Sequence, residues 1–322
     1  LSFHSFVTQF WPSTIDGLTL GSIYALFALG YTMVYGVLKL INFAHSEVFM
    51  VGTVAMYGTI NAFNIHHAPG GLALVGLLLA CAAAAMAASG ATAVLLERIA
   101  YRPLRRRGAS RLAALISAIG MSFALQEIFA LFVLSHGHPS NAKRDPTPFP
   151  SILSGHAVFH IGSASVTGID ILVVATGVLM MVALDRLVGT TKLGRGIRSV
   201  AQDPETATLM GVNLDRVIFT TFLLGGLMAG VAATLYGVRY SQTSYNVGQL
   251  PGIKAFTAAV LGGIGNLRGA LFGGLVIGLL EFYGASIFGT QWQNTVVFVI
   301  LVVVLLFRPT GILGESLARA RA

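Results

Sequence analysis

What most constrains this chain is the recurrence of apolar, almost uncharged runs of the length needed to cross a bilayer's hydrocarbon, about 20 residues as a helix. Such runs occupy 17–38, 72–96, 112–134, 169–188, 217–238 and 270–288. The stretches 47–63 and 292–307 read as two shorter spans, the first opened by a cap at Ser46-Glu47 and the second anchored at the interface by Trp292. With 55% hydrophobic and 10% charged residues among 322, the chain is expected to be an all-α polytopic membrane protein of about eight transmembrane helices. Residues 255–264 are apolar but too short to cross unaided, so a broken or partly re-entrant segment is expected near 253–267. No change of composition marks a second domain, and 1–322 reads as one transmembrane domain. The lone Cys81 excludes a disulfide framework. The chain begins at Leu1 rather than methionine, and its start is expected to lie upstream.

Charge sets the expected orientation. Lys39, the cluster from Arg98 to Arg111, the stretch 186–216, Arg268 and the tail from Arg308 together hold sixteen of the 20 Lys and Arg residues. Lys143, Arg144, Arg239 and Lys254 make up the other four. Cytoplasmic loops carry the excess of positive charge, so the first set is expected inside, with the N-terminus outside and the C-terminus inside. The loop 135–168 is then an outer one, and its end, AVFHIGSASVTG, alternates as a small hairpin would. A pI near 9.9 therefore reflects membrane topology rather than nucleic-acid binding.

Between the fifth and sixth spans lies a stretch that belongs in water, about 190–216. Asp203 reads as an N-cap, Pro204 as the first helical residue, Glu205 as a first-turn acid and Gly211 as a left-handed terminus. Two readings suit such a helix: a connector lying on the bilayer, or a docking site for a soluble partner. None of the four lysines is followed by Ser or Thr, so the chain has no phosphate-binding loop of the ATPase type.

Glu47, Glu127 and Glu281 stand at membrane depth, where a carboxylate usually faces a bundle interior or an aqueous path. Tyr24, Tyr31, Asn42, His45 and Gln126 complete a candidate substrate path. Glu47 alternatively serves as a helix-start carboxylate. The acids look isolated, with no Lys or Arg in the same spans, so weak and transient substrate binding is expected. Gly17 and Gly21, and then Gly265, Gly269, Gly273, Gly274 and Gly278, recur at the four-residue spacing that lets helices approach closely. His66, His67, His136, His138, His156 and His160 fall in outer loops without Cys or a carboxylate cluster, and no metal or other cofactor is expected in the chain. No paired acids or nucleophile triad points to an enzyme.

GLTLGSIYALFALGYTMVYGVLKLINFAHSEVFMVG at 17–52 closely resembles the opening of the LivH-type permease subunits of bacterial branched-chain amino acid ABC importers. The likeness continues through ERIAYRPLR, LISAIGMSFALQE, GRGIRSVAQDPETATLMGVNLDRV, KAFTAAVLGGIGNLRGALFGGLVIGLLE and RPTGILG. Ser46 stands where the family commonly has glycine, and Glu127 where it often has a neutral polar residue. The resemblance implies an inner-membrane pore subunit paired with a second homologous permease. Two cytoplasmic ATPase subunits, which bind the ATP and Mg, and a periplasmic substrate-binding protein complete such an importer. It also implies that 199–212 seats in the ATPase, within a coupling loop of about 190–216 that includes Ala201, Asp203, Pro204, Glu205, Ala207, Met210, Gly211 and Asn213, which favours the docking reading. Related permeases carry urea, short amides or other amino acids. A self-sufficient transporter or channel is the rival class.

Overall fold

The computed structural model describes residues 3–65, 69–134, 144–153, 155–308 and 310–314. His66, His67, His136, His138 and Lys143 lie outside them. The fold is mostly helical, with two short strand pairs among the described residues. Among the described residues seven helices are long and apolar enough to cross a membrane. The chain divides into two compact units, one of residues 1–32, 154–191 and 253–322 and the other of 33–153 and 192–252.

In the first unit, the front of α1 (Phe3–Leu38) packs with α6 (Gly168–Thr190), α11 (Leu267–Phe288) and α12 (Gln293–Phe307). The expected hairpin forms from β2 (Ala157–Ile161) and β3 (Ala164–Thr167), turning at Gly162-Ser163. Ser163 Oγ donates to the Thr8 carbonyl at 3.0 Å, so the hairpin and the start of α1 share one end of the unit. α6 begins on a reciprocal cap. Thr167 Oγ1 accepts from the Asp170 N–H, and Asp170 Oδ2 accepts from the Thr167 N–H. The second oxygen of the buried Asp170 accepts from Thr19 of α1 at 3.1 Å.

α1 and α11 meet through glycine on both sides. A Cβ at Gly17 would stand 2.9 Å from Leu279 Cα, one at Gly21 2.9 Å from the Gly274 carbonyl, and one at Gly274 2.5 Å from Ala25 Cα. Gly278 lies against the backbone of Gly17 and Gly21. α10 (Gln249–Gly262) is a regular 14-residue helix, about 21 Å long at 1.5 Å per residue, which is less than the hydrocarbon thickness. It packs on α11 where Gly269 and Gly273 face the backbones of Gly262 and Ala258. Its last carbonyls are satisfied by the chain end, Ile312 N–H to Leu261 and Leu313 N–H to Gly262. The interruption expected within 253–267 therefore falls after the helix, at 263–266. Gly265 corrects the small-residue stripe: it precedes α11, has φ +100°, and a Cβ there would meet nothing within 4 Å. It serves the turn, where a left-handed backbone favours glycine.

The second unit is built on α2 (His45–Ala62), α3 (Gly71–Leu96) and α9 (Leu214–Tyr240). Added Cβ atoms at Gly52, Gly226 and Gly230 would come within 2.7 Å of atoms of the facing helices. Ser89 Oγ donates across this seam to the Val48 carbonyl at 2.8 Å. α2, expected as a span, is not among the apolar seven. Most of its residues are buried against protein, which removes the need for an apolar surface. Ser46 is not its cap. Ala44 occupies that position without a side-chain bond, and Ser46 Oγ donates to the Phe43 carbonyl at 2.7 Å.

Helix also runs past the proline at 103, where a loop was expected. A wider π turn at Glu97–Tyr101 leads into α4 (Arg102–Arg106), with proline in its first turn. Arg102, Arg105 and Arg106 converge on Asp215 at the start of α9. At the other end of the unit, β1 (Thr147–Pro148) pairs with β4 (Gln242–Thr243). α5 (Arg111–Ile128), α7 (Lys192–Gln202) and α8 (Pro204–Leu209) complete this unit.

Candidate functional site

In the second unit, Glu47 sits in the first turn of α2 with its side chain fully buried. Its carboxylate does not cap the helix. Oε1 accepts from Ser122 Oγ at 2.9 Å and Gln126 Nε2 at 2.9 Å, both one turn apart on α5, and lies 3.0 Å from Ser46 Oγ. Oε2 is buried without a hydrogen-bond partner among the described residues. In the same unit, Asn42 Oδ1 accepts from Tyr101 at 2.9 Å, and Asn42 Nδ2 is likewise buried and unbonded among the described residues. His45 is buried beside them in sequence. The backbone of Gly248 lies directly against the Ser46 carbonyl, closer than any side chain would permit.

In the first unit, Glu281 is not isolated. Lys254 Nζ of α10 donates to its Oε1 at 2.7 Å, and Gln293 Nε2 of α12 donates to the same oxygen at 2.8 Å. Both partners of the ion pair are buried, their side chains 8% and 1% exposed. The ammonium also stands 5.9 Å from the centre of the Tyr24 ring, within cation–π range. Lys254, counted in the sequence among the outer-loop charges, is instead a buried group whose partner lies on another helix. Tyr31 stacks on Phe27 at 5.5 Å and meets the edge of Phe256 at 6.1 Å, a packing role within this unit.

Glu127 departs from the expected path. Arg144 donates to it at 2.7 Å, and the two side chains are 54% and 46% exposed. It is one helical position past Gln126, which turns it away from Glu47. The path candidates thus resolve into a polar cluster in the second unit (Asn42, His45, Glu47, Gln126), a charged one in the first (Tyr24, Glu281), and an exposed ion pair.

The water-exposed stretch folds as two short helices. Asp203 caps α8, its Oδ1 accepting from the Glu205 N–H at 3.0 Å and the Thr206 N–H at 3.2 Å, and its Oδ2 from the Thr206 hydroxyl. These bonds, the Thr206 hydroxyl's foremost, hold the Asp203 carboxyl below the ordinary aspartate range. Ala207 is buried, Gly211 turns the chain at φ +86°, and Asn213 caps α9 by accepting from the Arg216 N–H at 2.9 Å. Gly194, Ile197 and Val200 bury one face of α7, and Ala201 ends it half-buried. Pro204 and Glu205 stay exposed. Beside them Leu209 and Met210 are 87% and 81% exposed, two large apolar side chains at the tip of a polar, capped element.

Sequence reasoning missed Lys254, Ser122 and Gln293. For Ser122 a signal existed, since Ser122 and Gln126 share one face of a helix at the i, i+4 spacing. Lys254 and Gln293 reach Glu281 only through tertiary packing.

Buried charged and polar clusters inside a many-span helical molecule, with an exposed capped helix between two spans, define a polytopic transport protein of the permease class. The particular family follows from comparison. The family model described as branched-chain amino acid transport system / permease component matches residues 13–305, and the chain belongs to that family. The high-affinity branched-chain amino acid transport system permease protein BraD of Pseudomonas aeruginosa is 44% identical over 320 residues, covering 96% of this chain and 97% of the relative. Its counterpart LivH of Escherichia coli K12 is 41% identical over 309 residues, covering 95% and 96%. A probable LivH of Methanocaldococcus jannaschii is 26% identical over 302 residues, covering 91% and 89%. No solved structure matches the chain significantly.

Proposed function

We propose that this chain is a pore-forming subunit of an ABC importer that moves branched-chain amino acids across the inner membrane. It pairs with a second homologous permease, takes substrate from a periplasmic binding protein and is driven by two cytoplasmic ATPase subunits, which hold the ATP and Mg. The chain itself uses no cofactor. The observation that carries this reading is the capped α8 with Leu209 and Met210 bare at its tip, on a chain without a phosphate-binding loop of its own. An apolar tip in water is an unfinished interface, and an ATPase groove is the partner that a permease needs. Asp203, Pro204, Glu205, Ala207 and Gly211 shape this element, while Ala201 and Asn213 join it to α7 and α9.

The orientation proposed is N-terminus outside and C-terminus inside, with α7 and α8 cytoplasmic. Support comes from the charge count, in which Lys254 no longer belongs to an outer loop and the outer set falls from four residues to three. The relatives' names support amino acids over urea or amides as cargo, and the need for a docking element disfavours a self-sufficient channel.

Met210→Glu and Glu205→Lys test the docking directly. Both positions are exposed, so the membrane fold should survive. Uptake in cells should fall at least tenfold, and the ATPase subunits should no longer co-purify with the permease. Normal uptake and co-purification in both variants would refute the assignment.

A further inference from the structure

A fully buried carboxylate is costly unless a cation or a full set of donors answers it. Glu47 has been half answered. Oε1 is supplied by neutral donors from α5, Ser122 and Gln126. Oε2 is buried and unbonded, and no ion pair reaches Glu47 among the described residues. Glu281, another buried acid, also has one oxygen unbonded among the described residues, and differs in its cation. Glu281 has its cation in place, Lys254 at 2.7 Å.

A helix-dipole role does not explain the arrangement. Such a role asks only for charge near a helix start and is served by an exposed side chain, whereas this one is fully buried and drawn sideways onto α5. Next to Glu47 in the chain, the Ser46 carbonyl carries the backbone of Gly248, in the short connection between β4 and α10. Glycine there lets the chain rest on the Ser46 carbonyl with no side chain between.

Resting on the importer reading above, we infer that Glu47 is the subsite for the ammonium group of the transported amino acid, which docks on Oε2 during passage. Ser122 and Gln126 hold the carboxylate in place by its other oxygen. One charge contact, without a fixed cation beside it for the substrate's carboxylate, makes a weak station rather than a trap. That agrees with the weak binding expected from the sequence, although the reason differs: Glu281 and Glu127 have cations beside them, and Glu47 has none among the described residues. Charge at this point selects an amino acid over the same carbon skeleton without its amine.

The test uses the complete importer, both permeases with ATPase subunits and leucine-loaded binding protein, in proteoliposomes. Glu47→Gln keeps the size and removes the charge, and leucine uptake at saturating binding protein should fall at least tenfold. Glu47→Asp retains the carboxylate and should recover part of that loss. Uptake by Glu47→Gln at the wild-type rate, or an Asp variant no better than Gln, would overturn the proposal. Wild-type protein provides a measurement independent of folding. Labelling of Glu47 by N,N′-dicyclohexylcarbodiimide, read by mass spectrometry, should be slowed by millimolar leucine and not by 4-methylpentanoate, which lacks the amine. Equal protection by both, or by neither, would overturn it. Failure of the wild-type assembly to transport leucine at all would instead refute the importer reading.

Discussion

At the residue scale, the two ion-paired acids Glu281 and Glu127 call for opposite treatment. Lys254 and Glu281 neutralise each other, so removing one leaves an uncompensated charge inside the protein, while removing both leaves none. Lys254→Met is expected to destabilise the permease by about 3–5 kcal/mol, and Lys254→Met combined with Glu281→Leu should recover most of that. Thermal unfolding in detergent measures both, and a double variant as unstable as the single would show that the pair is not the source. The pair of Glu127 and Arg144 behaves differently, because both side chains are about half exposed. Exposed pairs contribute about 0–1 kcal/mol, so Glu127→Gln should leave leucine uptake and melting temperature essentially unchanged. The acids themselves were visible in the sequence as charges inside apolar runs. Which one had a partner was not, because Lys254 is 27 positions from Glu281 and reads, in sequence, as a loop residue.

Elements show the same division. The glycines of α1 and α11 were legible from their four-residue spacing, which places them on one helical face whatever the surroundings. The glycines of α2 and α9, Gly52, Gly226 and Gly230, stand as close to their neighbours but carry no long repeat to mark them. Gly274→Val should cost at least about 1–3 kcal/mol, since its Cβ would meet Ala25 Cα at 2.5 Å and backbone cannot move aside as a side chain can. Gly76→Ala, where a Cβ meets nothing, provides the tolerated control in the same melting experiment. α8 was legible nearly residue by residue, because its cap, first-turn proline and terminal glycine act locally. Its cap also sets a pH dependence. With the folded carboxyl below its unfolded value, the contribution of Asp203 is complete above the ordinary aspartate range and disappears only as pH falls through the depressed one. Docking should therefore be insensitive to Asp203 titration near neutral pH, whereas Asp203→Ala should weaken co-purification of the ATPase subunits at every pH.

For the whole molecule, the proposed orientation predicts how introduced cysteines will behave. Ser163, Ser110 and Thr206 are exposed, and native Cys81 is buried. An impermeant maleimide applied to intact cells should label Ser163→Cys, and should reach Ser110→Cys or Thr206→Cys only after permeabilisation. Labelling of either of the latter from outside would reverse the topology. The sequence by itself determined the helical membrane class, most spans, the capped helix and the family, because hydrophobic run length, charge asymmetry and capping chemistry are properties of neighbouring residues. Only the tertiary structure decided that α2 is sheltered by protein, that α10 is a regular short helix, that Lys254 neutralises Glu281, and that Glu47 has one oxygen bonded and one free. Those outcomes depend on which distant side chains packing brings within about 3 Å, the range at which hydrogen bonds act, and separation along the chain carries no record of that distance.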